Sequence, residues 1–376
     1  MRRFFLLLLL LVGSSLMATA QTYYMMVGTY TTGSESRGIY VYMFDEVSEY
    51  ASLISTEQSV NPSYFALSDG GKKVYTANEN ITDADKGKGA LSAFSFDKKN
   101  GKLTFLNTVP SIGDAPCYIT TDKKGLDVLA ANYTSGSVVL YKTEKDGRLQ
   151  SEKTQLIQHE GKGLHPNQEG PHAHGTFISP DGKYVFVTNL GNDLIYKYNF
   201  DPKRSTPLTE GTPKTYKVPD GYGPRHIVFS KDGKYMYVIC ELIGKVIAYS
   251  YDKGNLTQLQ ILDAAPQVDK NLDNGGSAIR ISPNGRFLYV SNRGTANTVA
   301  IFHIENDGKL THIDDQKVKA HPRDMAFTPD GKYLAVASRD ENAVEFYKVD
   351  PEVGLLTLTK NSLSIPKPVA IAFTSY

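Results

Sequence analysis

One phrase recurs through residues 61–376: a proline, a short apolar stretch, a turn of the Ser-x-Asp-Gly-Lys kind, an aromatic or aliphatic run, and a closing polar residue that is often asparagine. It runs from Asn61 to Asn78, Ala115 to Asn132, His174 to Asn189, Gly223 to Glu241, Gly276 to Asn292 and His321 to Arg339. Measured between Pro62, Pro116, Pro171, Pro224, Gly276, Pro322 and Pro368, the spacing is 46 to 55 residues. A fixed period of that size with only strand-like segments inside predicts an all-β propeller with about four strands per blade.

Within a unit, two apolar runs flank a tight turn, as Phe177 to Ser179 and Tyr184 to Val187 flank Pro180-Asp181-Gly182-Lys183. That is a hairpin signature. A third strand follows with alternating apolar and polar residues, as in Ile195 to Phe200 and Val299 to Ile304, and a Gly-containing turn leads to the fourth. Six units are complete, whereas Pro368 to Phe373 is an inner strand with no hairpin partner. Tyr23 to Thr29, Gly38 to Phe44 and Ser52 to Gln58 are strands with no inner strand before them, so the two termini should combine into a seventh blade and close the ring.

Composition excludes other classes. With 41 basic and 40 acidic residues there is no electrostatic footprint for nucleic acid. Cys117 and Cys240 fall in different repeats and make neither a zinc site nor a disulfide framework. Met1-Arg2-Arg3, the apolar Phe4 to Val12 and Ala18-Thr19-Ala20 form a secretory leader, too short to span a bilayer. The expectation is one propeller domain over residues 21–376, extracytoplasmic (periplasmic or secreted) after cleavage near Ala20, without a membrane span in the mature protein, and a monomer or weak dimer.

The repeat also lets sites be read by position. With the turn residues Gly70, Lys124, Asp181, Asp232, Asn284 and Asp330 as origin, seven residues earlier stand Ser63, Cys117, His174, Arg225, Ser277 and Arg323. Nine residues later stand Glu79, Tyr133, Leu190, Glu241, Arg293 and Arg339. A hairpin brings both sets to the same blade end, so they should face one mouth of the central channel. Four arginines against two glutamates make this mouth cationic and suited to an anionic ligand, which guanidinium groups hold at two points. Arg225 and Glu241 could instead neutralise each other, but Arg293 and Arg323 have no obvious local partner. Asn132, Asn189 and Asn292, which close their repeats, and His226 beside Arg225 are read as further substrate-binding residues.

The stretches Thr82 to Ala90, His159 to Pro171, Ser205 to Gly223 and Asp263 to Gly276 look like inserted loops around the same mouth, where binding residues commonly sit. His165, His172, His174 and His226 cluster there, yet no standard metal-ligand spacing is present, so neither metal nor cofactor is assigned. Gly-x-Ser-x-Gly, phosphate-loop and dinucleotide motifs are absent from the sequence. What remains, His174, Glu241 and several arginines, suits water activation and oxyanion stabilisation.

The segments Gly223-Pro224-Arg225-His226, Cys240-Glu241-Leu242, Ser291-Asn292-Arg293, His321-Pro322-Arg323 and Pro171-His172-Ala173-His174 resemble the seven-bladed propeller lactonase family, which includes 6-phosphogluconolactonases and the carboxymuconate-lactonising enzyme. The resemblance covers the whole mature chain. It implies catalytic roles for His174, Arg225, Glu241 and Arg293, and hydrolysis of an aldonolactone such as 6-phosphoglucono-1,5-lactone by activated water, with Arg323 and Arg293 holding the small anionic sugar lactone. The family's phosphogluconolactonases are cytoplasmic, so the leader implies a different sugar lactone or a relocated activity. Two other readings stay open: lactonisation of an unsaturated dicarboxylate of the muconate type, and a secreted propeller that binds an anionic sugar or partner without catalysis.

Overall fold

The turns set the architecture. In the turn at residues 179–184, Ser179 Oγ donates to Asp181 Oδ1 (2.6 Å), which also accepts the Lys183 N–H (3.1 Å), and Gly182 takes φ +70°. The same turn recurs around Asp232, Asn284 and Asp330, each with glycine in the left-handed region where a side chain would be strained. The strands it joins therefore fold back on themselves at regular intervals.

The computed structural model describes residues 21–376 except 81, 83, 85, 268 and 270–273. The predicted leader, residues 1–20, lies outside the described residues. The strands, numbered β1 to β28, form seven four-stranded antiparallel sheets arranged as a seven-bladed propeller. The inner strands are β4 (Pro62–Ser68), β8 (Pro116–Thr121), β12 (Ala173–Ile178), β16 (Pro224–Phe229), β20 (Asn274–Ile281), β24 (Pro322–Phe327) and β28 (Pro368–Ser375). The C-terminal β28 pairs with β1 (Thr22–Thr29), followed by β2 (Gly38–Asp45) and β3 (Tyr50–Gln58), so the termini share one blade as the sequence predicts. Among the described residues no helix is long and apolar enough to cross a membrane.

One expected loop is a strand. Residues 205–223 contain β15 (Leu208–Lys217), the outermost strand of its blade, bulged opposite Tyr196 to Tyr198. Its polar run and Pro213 obscure the alternation, but an edge strand tolerates both because its outer N–H groups face away from any ladder.

The core lies between blades. Tyr23, Met25, Val27 and Phe44 of the terminal blade pack on Tyr333, Ala335 and Phe346 of its neighbour, and similar two-blade clusters recur around the ring. Buried tyrosines lock adjacent blades: the hydroxyls of Tyr24, Tyr237, Tyr289 and Tyr333 donate to Lys98, Gly308, Gly354 and Glu46 carbonyls at 2.6 to 3.0 Å. Each satisfies a buried polar tip while the ring fills the interface.

A β-bulge marks every inner strand. Pairing jumps from Pro62 to Tyr64, Pro116 to Tyr118, Ala173 to Gly175, Pro224 to His226, Gly276 to Ile279 and Pro322 to Asp324, and Val369 is skipped in β28. The extra residues are Ser63, Cys117, His174, Arg225, Ser277 (with Ala278), Arg323 and Val369. Bulges re-aim side chains, and here they set one position from each blade around the axis.

Removing β28 by ending the chain at residue 366 would expose Met25, Met26 and Val27, all fully buried, and leave the inner edge of β1 unpaired. The expected result is loss of a single cooperative unfolding transition in calorimetry, since burial of about 2 kcal/mol per large apolar side chain is withdrawn at several positions at once.

Candidate active site

The bulge residues link to one another around the axis. Ser63 Oγ donates to the Pro116 carbonyl at 3.4 Å, Cys117 Sγ approaches the His174 carbonyl at 3.5 Å, Arg225 Nη1 donates to the Ser277 carbonyl at 2.9 Å, and Ser277 Oγ donates to the Arg323 carbonyl at 2.8 Å. Above them lies a second ring, the residues that follow the second strand of each blade. There the N–H groups of Tyr30, Glu79, Tyr133, Leu190, Glu241 and Arg339 bond to the carbonyls of Lys367, Asn61, Ala115, His172, Gly223 and His321 at 2.8 to 3.1 Å. Arg293 holds the corresponding place opposite Gly275. Side-chain bonds to neighbouring carbonyls thus tie the first ring, whereas backbone bonds carry the second and leave its side chains for the mouth.

Four predicted residues meet at one oxygen. Glu241 Oε2 lies 2.8 Å from Arg225 Nε, 3.0 Å from Arg293 Nη2 and 3.5 Å from His174 Nε2. Burial pushes the Glu241 carboxyl up, but Arg293, the His174 hydrogen bond and Arg225 outweigh it and hold the group well below the ordinary range. Burial and neighbouring Arg293 bring Arg225 down to about 10, still cationic at neutral pH. Burial, aided by Arg225, brings His174 to about 4, so its imidazole is neutral. Arg293 also donates to the Gly276 carbonyl at 3.1 Å, and its buried Nε–H has no partner among the described residues.

A second cluster mirrors the first. Arg323 Nη2 lies 3.3 Å from Glu79 Oε2, which also accepts the Tyr30 hydroxyl at 2.9 Å, and the guanidinium sits 5.2 Å from the centre of the Tyr30 ring. Arg323 and Arg293 therefore do have carboxylate partners, contrary to the sequence expectation. Their partners come from other blades, across a distance that no local window shows. Cys117 lies between the clusters, its thiol pushed up by burial and by Glu79, with Glu241 adding to it.

A cavity of about 610 Å³ opens at this mouth, lined by Tyr30, Glu79, Tyr133 and Arg339 of the upper ring, with Asp114 and Lys367 among the residues around them. Tyr133 stacks on His172 (4.5 Å, 8°) and presents its edge to His174. The cavity lies over the Glu79 side of the ring rather than centrally over Glu241. Tyr30 and Tyr133 were not singled out by sequence reasoning. Tyr133 looked like a neutral member of a charged set, and Tyr30 belongs to the blade whose repeat is split between the termini; its signal is Gly28-Thr29-Tyr30, the counterpart of Ala77-Asn78-Glu79.

The remaining predicted residues lie elsewhere. Asn132 Nδ2 bonds to the Ser111 carbonyl and Ser137, Asn189 Oδ1 accepts the His172 and Gly191 N–H groups, and Asn292 Nδ2 bonds to the Ala264 carbonyl and Thr298. All three are fully buried ties between strand ends and loops, not substrate contacts. His226 follows the bulge and turns into a deeper layer, edge-on to Tyr64 and Tyr118, which stack at 4.2 Å. Arg280 joins that layer through Tyr64 and Asp324 (3.1 and 2.6 Å), filling the channel below the site. Burial and Arg225 hold His226 well below the ordinary range. Of the clustered histidines, His174 alone approaches Glu241; His172 is engaged with Tyr133 and His165 Nδ1 accepts the Asn167 N–H, while His159, outside that cluster, is buried between Tyr196, Tyr198 and Asn189.

Comparison with known proteins adds a consistent finding. A family model described as "Lactonase, 7-bladed beta-propeller" matches residues 24–373. The chain is similar to a 6-phosphogluconolactonase of Bacillus subtilis, at 36% identity over 92% of this chain and 97% of the relative, and to one of Formosa agariphila, at 33% over 94% and 99%. Among solved structures it resembles the periplasmic gluconolactonase of Pseudomonas aeruginosa, with a TM-score of 0.89 and 32% identity covering 94% of this chain and 99% of that one.

The buried neutral histidines make stability depend on pH. His174 is brought from 6.5 to about 4 and His159 to about 3, mainly by burial. As pH falls below 6.5 the unfolded chain takes up these protons first, so stability present above that pH is lost toward pH 4, by about 3 kcal/mol for His174 alone. Glu241 acts in the same direction below the ordinary carboxylate range. Thermal melts between pH 7 and 4 should show a falling midpoint, with a shallower fall in His174→Asn.

Proposed function

The chain belongs to the seven-bladed β-propeller lactonase family, and from that premise we propose that it is a carboxylic ester hydrolase that opens a sugar lactone to its acid, the substrate being 6-phosphoglucono-1,5-lactone or a related aldonolactone. The observation that carries this reading is the convergence of Arg225, Arg293 and His174 on a single Glu241 oxygen. Such a lactone is already an activated ester, so water can attack it without a covalent enzyme nucleophile.

In the free protein Glu241 is over-compensated and a weak base. A lactone carbonyl that draws Arg225 and the unspent Arg293 Nε–H toward its oxygen takes positive charge away from the carboxylate, and the proton affinity of Glu241 rises as the reacting group arrives. Water then loses a proton to Glu241 as its oxygen bonds to the carbonyl carbon. The oxyanion rests on the guanidinium groups; as the tetrahedral intermediate collapses the ring C–O bond breaks, and protonated Glu241 returns its proton to the departing ring oxygen, which leaves as a hydroxyl. Neutral His174 positions Glu241 through Nε2. Because Arg293 and Arg323 are both engaged with carboxylates, as Arg339 is with Asp340, an anionic group on the substrate falls to Lys86 and Lys367, which line the cavity.

Export is part of the same reading. Its supports are the leader-like pattern of residues 1–20 and the similarity to a periplasmic gluconolactonase. Protein purified from the producing cell should begin near Gln21 by intact mass.

The decisive assay is acid release from phosphorylated and free aldonolactones by residues 21–376, followed with a pH indicator. Glu241→Gln should lower kcat by about 10²-fold or more, as loss of a general base does, and Arg225→Ala by about 10²- to 10³-fold, as loss of an oxyanion donor does. A wild-type protein that accelerates none of these reactions would end the proposal; ligand-dependent thermal stabilisation without turnover would point to a binding propeller instead.

A further inference from the structure

The Tyr30–Glu79–Arg323 cluster has no part in the water-attack step, yet its Tyr30 and Glu79 line the cavity at the mouth. Glu79 Oε2 is saturated by the Tyr30 hydroxyl (2.9 Å) and Arg323 (3.3 Å), whereas Oε1 has no hydrogen bond among the described residues. Tyr30 is buried and held in place by its N–H bond to the Lys367 carbonyl and by the guanidinium against its ring. Asn61 fixes the segment beyond it: its Oδ1 accepts the N–H groups of Thr31 and Thr32 at 2.7 and 3.0 Å, and its Nδ2 donates to the Glu79 carbonyl at 2.9 Å. Tyr30 and Arg323 thus hold the carboxylate and Asn61 its backbone, with one carboxylate oxygen unspent.

We propose that Glu79, positioned by Tyr30 and Arg323, is the specificity-determining residue that reads the hydroxyl groups of the substrate, selecting polyhydroxylated lactones over unsubstituted ones. A carboxylate oxygen held in place by its neighbours accepts hydroxyl hydrogens strongly, and a ligand that covers it without supplying them leaves the charge unmatched. Arg323 and the Glu79 carboxylate offset each other's charge at 3.3 Å, so the wall attracts hydroxyl donors rather than a second anion. The anionic end of a phosphorylated lactone then points outward to the rim lysines. This inference rests on the lactone reading of the same mouth, but it concerns a different wall and a different part of the substrate.

Two measurements separate the inferences. Calorimetric binding of D-glucono-1,5-lactam, a hydroxylated ring that does not hydrolyse, should weaken about 10- to 100-fold in Glu79→Gln and less in Tyr30→Phe, with unchanged melting confirming the fold. In steady-state assays the ratio of kcat/KM for glucono-1,5-lactone to that for δ-valerolactone should fall by a similar factor, mostly through KM. Lactam affinity unaltered by Glu79→Gln, or an equal loss on both lactones, would overturn the assignment. A wild-type protein that binds the lactam through Glu79 but hydrolyses no lactone would remove the hydrolysis reading and leave this one standing.

Discussion

The bulge on each inner strand is the constraint from which the site follows. Side chains on a regular strand alternate between its two faces, and both faces of a propeller blade pack against neighbouring blades. A residue aimed at the axis needs a break in that alternation, which the bulge supplies once per blade at the mouth end. The re-aimed side chains then bond to neighbouring bulge carbonyls, as Arg225 does to Ser277 and Ser277 to Arg323. Charged and framework groups occupy equivalent positions, and what differs is only the side chain: Ser63 and Ser277 bond to neighbouring carbonyls, while His174, Arg225 and Arg323 also reach the carboxylates of Glu241 and Glu79.

Burying this much charge demands close compensation, because an unpaired ion in a dry channel is costly. Each glutamate is therefore matched with arginine before any ligand arrives, Glu241 with Arg225 and Arg293, and Glu79 with Arg323. Lower in the channel the Arg280–Asp324 pair, capped by Tyr64 and by the Ile371 N–H, closes the pore in the same way. Pairing leaves each of these buried charges compensated within the protein itself.

Much of this was legible in the chain. The period, the Ser-x-Asp-Gly turns and the missing partner of Pro368 to Phe373 foretold seven blades and the shared terminal one, and the register placed Glu79, Glu241, Arg293 and Arg339 in one ring. Three asparagines misled because a polar residue at a strand end serves equally to bind a ligand or to tie down a loop, and only their partners tell which. His226 misled because the bulge at Arg225 reverses the face of the next residue. Tyr30 was missed because the repeat is cut where the chain begins and ends.

Local chemistry is periodic and directional, so the sequence by itself determined the turns, the four strands per blade, the closed ring and the register that brings Glu79, Glu241, Arg293 and Arg339 to one mouth. Pairings between side chains more than a blade apart depend on how the ring closes, and only the tertiary structure decided them. It joined Glu79 to Arg323 across 244 positions, gathered three donors on one oxygen of Glu241, and left the cavity on the Glu79 side. Charge spacing along a chain carries no information about which buried ions meet; burial makes their meeting obligatory, and the closure of the ring selects the partners.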